Sequence, residues 1–181
     1  MMMARLAKVV EEKEVPKGLT AEYRDSVLTV KGPQGTLTKK LFHPRVKMTV
    51  AKGKITVETR MASLREKALV GTWVAHARNM IKGVQQPYVY RMKAVYAHFP
   101  VKMTLKGNEL VIENFLGERH PRKALILGGT KVTIKGQELE LVSTSLEDVG
   151  QTAANIENAT RIRDRDPRVF QDGIFITSKG D

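Results

Sequence analysis

The sequence predicts an α+β protein: a tandem duplication of an antiparallel sheet packed by one helix. Three observations predict it. Short segments recur in the same order about half a chain apart. Each copy opens with β-rich runs around glycine-containing turns, and each closes on an apolar period of about 3.6 residues. Strands first and a helix last is the order of an antiparallel sheet with a helix laid across it.

The recurrences are specific. Leu28-Thr29-Val30-Lys31-Gly32 returns as Met103-Thr104-Leu105-Lys106-Gly107, and His43-Pro44-Arg45 as His120-Pro121-Arg122. Met48 to Gly53 returns, one residue shorter, as Val132 to Gly136, and Ser63-Leu64 as Ser145-Leu146. His43 and His120 are expected to occupy matching places of the two copies.

In the first copy, Val27 to Val30 is a β-rich run ended by the turn Lys31-Gly32-Pro33-Gln34-Gly35. Thr36 to Phe42 returns antiparallel until Pro44 breaks it. Val46 to Val50 alternates, turns at Lys52-Gly53-Lys54 and continues through Ile55 to Thr59, a hairpin signal. Ser63-Leu64-Arg65-Glu66 has the form of a capping box. Behind it Leu64, Ala68, Gly71/Thr72 and Ala75 share one helical face, extended by Leu69, Trp73, Ala77 and Met80, with an end near Gly83.

The second copy repeats the script. Tyr88, Tyr90, Met92, Ala94 and Tyr96 alternate with Val89, Arg91, Lys93 and Val95, as in a strand. Lys102–Leu105 and Glu109–Glu113 flank Gly107-Asn108, and Lys131–Ile134 and Glu138–Val142 flank Gly136-Gln137. A helix follows from Ser145 or Leu146, with Leu146, Val149, Gly150, Ala153 and Ala154 inward. Gln85-Gln86-Pro87 marks the join. The expected domains are residues 1–83 and 84–181, the second ending in a basic tail.

Composition narrows the function. The 181 residues carry 31 Lys+Arg against 19 Asp+Glu, a net charge of +12, and no cysteine. Disulfides, thiolate metal sites and cysteine nucleophiles are excluded. A charge that high points to a polyanionic partner, nucleic acid first and an anionic membrane surface second. No apolar run approaches the ~20 residues of a spanning helix, and Met1 to Val10 is too short and too charged for a secretory signal. The expected setting is cytoplasmic, with no membrane partner.

Enzymatic chemistry finds little support. Gly128-Gly129-Thr130-Lys131 and Lys31 to Thr36 lack P-loop spacing and read as turns. The four histidines, His43, His76, His98 and His120, have no partners at metal-ligand spacing. Asp164, Asp166 and Asp172 sit among arginines that would pair with them or repel a cation. No catalytic residue, metal or cofactor is assigned. Two other classes stay open: an RNA-processing enzyme using His120 with Asp164 or Asp166, and a module that meets an acidic protein.

The charge is uneven. Residues 1–90 hold 17 Lys+Arg against 7 Asp+Glu, and residues 91–181 hold 14 against 12. The second half segregates its charge, with Arg119, His120, Arg122 and Lys123 in one basic group and Arg161, Arg163, Arg165 and Arg168 in another. Glu138, Glu140, Glu147 and Asp148 gather acids elsewhere. Arginine suits such groups because its planar fork binds phosphate oxygens at two points. Internal Arg–Asp pairing within Arg161 to Asp166 is the competing explanation. Aromatic residues are few, at 6%, so contacts to phosphate and sugar are expected rather than base stacking.

Four segments carry a resemblance to a known family. They are Val95-Tyr96-Ala97-His98-Phe99-Pro100, Asn114-Phe115-Leu116-Gly117-Glu118-Arg119, Glu140-Leu141-Val142-Ser143 and Arg168-Val169-Phe170-Gln171-Asp172-Gly173-Ile174-Phe175-Ile176. The chain resembles the family of ribosomal protein six of the large subunit, numbered nine in eukaryotes. The last segment and the short ending resemble its archaeal type. The resemblance implies a structural protein of the large ribosomal subunit, not an enzyme and without cofactor, present as a monomer within the ribosome. It implies binding to large-subunit rRNA mainly through the second domain. It also implies a position near the stalk base and the translation-factor site, beside neighbouring ribosomal proteins.

Within that second domain the local basic groups supply the expected RNA-binding residues: Arg119, His120, Arg122, Lys123, Arg161, Arg163, Arg165 and Arg168, with Lys102 and Lys106. Asp172-Gly173 is expected to form a tight turn that directs the tail.

Overall fold

Alternation builds the first strands. In Val46–Ala51, Val46 and Met48 are buried while Lys47 and Thr49 face out, and from residue 54 to 60 the buried positions are Ile55, Val57 and Thr59. A period of two is what a sheet with one covered face requires. Gly53 turns the chain between them at φ +72°, a conformation that costs glycine nothing. The computed structural model describes residues 6–51, 53–166 and 168–180, and it divides the chain between Gln86 and Pro87 into two units.

The first unit runs β1 (Leu6–Glu14), β2 (Thr20–Arg24), β3 (Val27–Gly32), β4 (Gly35–Lys40), β5 (Val46–Ala51), β6 (Lys54–Ala62) and α1 (Leu64–Gln85). Its sheets have the orders β1-β6-β5 and β2-β3-β4, all antiparallel. The capping box is present: Ser63 N–H donates to Glu66 Oε2 at 2.6 Å, and Glu66 N–H reaches Ser63 Oγ at 3.5 Å. The buried stripe of α1 is Val70, Trp73, Ala77, Met80, Ile81 and Val84, a helical period against Leu28, Val30, Ile55 and Val57.

The expected row through Leu64 and Ala68 is not the buried one, and Leu64 is 69% exposed. Burying Trp73 and its neighbours removes more apolar area from water, so the helix turns that face inward. The helix also runs past Gly83 to Gln85. Pro87 stops it, by forcing the preceding Gln86 to extended backbone (φ −138°, ψ 119°).

The second unit runs β7 (Tyr88–Val95), β8 (Lys102–Lys106), β9 (Glu109–Glu113), a 3-10 turn at Phe115–Gly117, β10 (Arg122–Leu125), β11 (Lys131–Lys135), β12 (Glu138–Ser143), α2 (Leu146–Ala159) and β13 (Gly173–Lys179). One antiparallel sheet has the order β11-β12-β7-β13 and the other β10-β9-β8. Tyr88, Tyr90, Met92 and Ala94 point into the core, where they meet Val149, Ala153 and Ile156 of α2. Ser145 caps α2 by accepting from Asp148 N–H at 3.2 Å. Leu146, Gly150 and Ala154 are only partly buried, and Thr152 and Ile156 complete the buried stripe.

The two units are therefore α+β copies of one plan, but the register of the duplication needs correcting. Val27 and Glu109 open the two middle strands, and Ser63 and Ser145 cap the two helices, each pair 82 residues apart. The apparent match of Leu28–Gly32 to Met103–Gly107 overlays a middle strand, β3, on an edge strand, β8. Strands that end in Lys-Gly look alike, and β2, the true counterpart of β8, carries no such signal. His43-Pro44-Arg45 lies between β4 and β5, whereas His120-Pro121-Arg122 leads into β10. The two histidines do not occupy matching places.

The Asp172-Gly173 turn is also corrected. Gly173 begins β13, which pairs with β7 from Gly173↔Val95 to Lys179↔Tyr90 across a bulge near Ser178. Glycine is needed there for space, because a Cβ on Gly173 would stand 2.7 Å from Cζ of the Phe175 ring.

Candidate nucleic-acid interface

Strand alternation decides what the first basic group can do. Arg122 pairs with Ile112 and Lys123 with Val111, so the two neighbours point to opposite faces of the β8–β10 sheet. Arg122 turns toward the core. Its guanidinium lies 4.4 Å from the centroid of the Phe115 ring and grips Glu118 at two points, Nε to Oε2 at 2.8 Å and Nη2 to Oε1 at 2.6 Å. Nη1 donates to the carbonyl oxygens of Ala159 at 3.0 Å and Arg161 at 3.1 Å.

The structure thus gives Arg122 a different task from the phosphate contact expected of it. Its side chain is 24% exposed, and most of its donors are engaged within the unit. Placed at the end of α2, it also puts a cation where the helix dipole favours one. The same fork holds the Glu118 carboxyl below the ordinary carboxylate range.

The consequence is positional. By joining Glu118 to the carbonyls of Ala159 and Arg161, Arg122 brings residues 118–123 and the segment after α2 onto one surface. Arg165 lies close enough for its charge to lower the Glu118 pKa further. Asp164 takes a left-handed turn at φ +59°, and Arg165 packs over the Phe170 ring at 4.8 Å.

The remaining candidates divide by their partners. Among the described residues, Arg119, His120, Arg161 and Arg163 are exposed and their side chains have no ion pair or hydrogen bond, and Arg165 has no ion pair. Arg168 meets Asp166 at 3.5 Å, and its N–H donates to the same carboxylate at 2.9 Å. Among the described residues of this loop, internal ion pairing is therefore confined to Arg168. Lys102, Lys106 and Lys123 share the outer face of the β8–β10 sheet with Glu109 and Glu113. Lys123 meets Glu109 at 3.0 Å and Lys102 meets Glu113 at 3.9 Å, which among the described residues leaves Lys106 without an acidic partner.

The first unit uses more of its charge internally than its composition suggests. Lys8 meets Glu58 at 3.0 Å, Lys54 meets Glu14 at 3.3 Å and Arg45 meets Glu66 at 3.0 Å. Hydrogen bonding by the side chain and backbone of Ser63, followed by the Arg45 guanidinium, lowers the Glu66 carboxyl from 4.5 to about 2.

Neither Asp164 nor Asp166 is hydrogen-bonded to His120 among the described residues. No three His, Asp or Glu side chains there group as metal ligands, and no helix is long and apolar enough to cross a membrane. What the surface offers is a set of unpaired guanidinium groups around the end of α2, suited to oxygen anions.

The family model described as Ribosomal protein L6 matches residues 15–87 and 99–173, once along each copy of the fold. The chain belongs to the ribosomal protein L6 family. It is 49% identical to large ribosomal subunit protein uL6 of Methanocella arvoryzae, over 96% of this chain and 98% of that one. It is 45% identical to the uL6 protein of Methanobrevibacter smithii, over 98% and 99%, and 46% identical to that of Archaeoglobus fulgidus, over 95% and 91%. Members of the L6 family are structural components of the large ribosomal subunit rather than enzymes, and this chain is of the archaeal type.

Sequence reasoning missed two features of this surface. One is the inward turn of Arg122, which only the register of β10 reveals. The other is a cleft beside β13 lined by Asp172 and Phe175. Its signal was Gly173, whose missing Cβ leaves room for the Phe175 ring.

Proposed function

We propose that the chain binds large-subunit rRNA mainly through its second unit, with Arg119, Arg161, Arg163 and Arg165 neutralising phosphates. His120, Lys106 and the exchangeable cations Lys102, Lys123 and Arg168 lie around them. The observation that carries this reading is the Arg122 bridge, which gathers two arginine groups separated in sequence and leaves their outer members unpaired. Arg122 itself acts from behind the surface. The family resemblance supports a site near the stalk base and the translation-factor site, with the chain present as a monomer beside other ribosomal proteins. The first unit then acts as a second domain whose cations serve its own fold and neighbouring contacts.

The test is binding of the full chain to protein-free large-subunit rRNA at several salt concentrations. Each phosphate contact releases counterions, so log affinity falls linearly with log salt. Replacing Arg163 and Arg165 by Ala is expected to weaken binding and to flatten that slope by about 1 per residue. An unchanged slope would remove the arginine segment from the interface.

A further inference from the structure

Beside β13 the second unit carries a cleft of about 940 Å³, bounded by the end of β7, the last turn of α2 and the segment Arg161 to Asp172. Three features of its lining differ in chemistry. Asp172 is only 7% exposed, yet among the described residues its carboxylate has no hydrogen bond and no ion pair. Phe175 and Val95 leave 45% and 42% of their surfaces open. Arg161 and Arg165 also line the cleft, with no carboxylate paired to either.

Each feature asks for something. A carboxylate accepts hydrogen bonds and donates none, and Asp172, mostly buried, lines the cleft with both oxygens still able to take a donor. An open aromatic ring offers a stacking surface. Unpaired guanidinium groups ask for oxygen anions. Phe175 is positioned for its part by Gly173, over which its ring lies, and Val95 stands directly opposite Gly173 on β7.

We propose that this cleft takes one guanine nucleotide of an RNA, swung out of its stack. The proposal rests on the RNA-binding reading above and names the piece of RNA that enters. The Watson–Crick edge of guanine presents N1–H and N2–H side by side, two parallel donors for the two oxygens of Asp172. Adenine, cytosine and uracil offer no such pair. The base meets Phe175, as unstacked bases meet aromatic side chains in single-stranded recognition, and its phosphate lies toward Arg161 and Arg165. A neighbouring protein's arginine would also satisfy Asp172, with Glu157 as a second acid of the lining, but it would leave Arg161 and Arg165 without an anion and make no use of their planar forks. A nucleotide satisfies all three features at once, and the volume is within the range of small-molecule sites.

Kethoxal adds to N1 and N2 of unpaired guanines, the atoms that Asp172 would cover. The full chain is bound to protein-free large-subunit rRNA and probed with kethoxal, and hydroxyl radicals map the backbone in parallel. The wild-type complex is expected to protect a guanine whose protection is lost in Asp172→Asn, which presents a donor where an acceptor is needed. Phe175→Ala, a change at an open ring, is expected to weaken the same protection about ten-fold with the backbone footprint kept. Absence of a protected guanine within an intact backbone footprint would overturn the guanine assignment alone, as would protection that persists in both variants. Absence of any footprint would overturn the RNA reading and the cleft assignment together. Free guanosine monophosphate that erased the protection at micromolar concentration would make the cleft a site for free nucleotide and overturn its assignment to RNA.

Discussion

The backbone N–H of Ile174 donates to the hydroxyl oxygen of Thr160 at 3.0 Å, and both residues are buried. Thr160 ends α2 and Ile174 is the second residue of β13, so this bond closes the base of the loop that carries Arg161, Arg163, Arg165 and Arg168. Thr160→Val keeps the shape and removes the acceptor. It is expected to cost about 1–3 kcal/mol, the penalty for a buried donor left unpaired. Urea denaturation measures it. A wild-type midpoint would mean that the loop is held elsewhere.

Arg122 and Arg163 are expected to separate cleanly in experiment. Arg122→Ala removes a two-point carboxylate contact, two carbonyl contacts and a ring contact. The partial exposure of the pair moderates the loss, which is expected at about 2 kcal/mol of stability. At salt concentrations where the variant stays folded, its rRNA salt slope should match the wild type. Arg163→Ala should do the reverse, with stability unchanged and the slope flatter. A flatter slope for the folded Arg122 variant would mean that the bridge, or the side chain itself, is needed for a phosphate contact.

The capping box of α1 is expected to be acid-sensitive. The Glu66 carboxyl stands at about 2 in the folded chain against an ordinary 4.5. The unfolded chain therefore takes up its proton first as the pH drops. The stabilisation from Glu66 is complete above about pH 4.5 and is lost progressively toward pH 2. Comparing wild type with Glu66→Gln by urea denaturation from pH 6 to pH 2 should show a gap that closes as the pH falls. A gap constant across that range would exclude the linkage.

Gly32 is expected to tolerate no side chain. A Cβ there would stand 2.6 Å from Leu19 Cδ2 and 2.9 Å from the Val84 carbonyl oxygen. The neighbouring Gln34 N–H donates to that same carbonyl at 3.1 Å, so the turn is fastened beneath the last turn of α1. Gly32→Ala should cost about 1–3 kcal/mol through overpacking, read from a thermal unfolding curve. A variant as stable as the wild type would show that the end of α1 can shift to make room.

How much of this was legible depended on how local each signal is. The β5–β6 hairpin, strand β7 and the Ser63 cap were readable, because alternation, a turn glycine and a hydroxyl three residues before a carboxylate are all written within a few positions. The strand β1 was not. Its residues, Leu-Ala-Lys-Val-Val-Glu-Glu-Lys-Glu, look like a charged leader, and only pairing with β6, Leu6↔Ala62 at one end, makes them a strand. The strand β13 joins β7 across a still longer stretch of chain, Gly173↔Val95 at one end and Lys179↔Tyr90 at the other. The basic groups were legible as charge, but the side of the strand on which Arg122 falls depends on register. Asp172 reads as one more acid among arginines until its burial is known.

The β7–β13 pairing also imposes an order of events. The strand that opens the second unit finds its edge partner roughly eighty residues away, and closing so long a loop costs chain entropy before the pairing repays it. Until β13 arrives, Ile174 cannot reach Thr160 and the arginine loop has no closed base. During synthesis the first unit can complete its sheets while the second is still being made. The base of the loop proposed to grip RNA thus depends on the strand of its unit that is made after all the others.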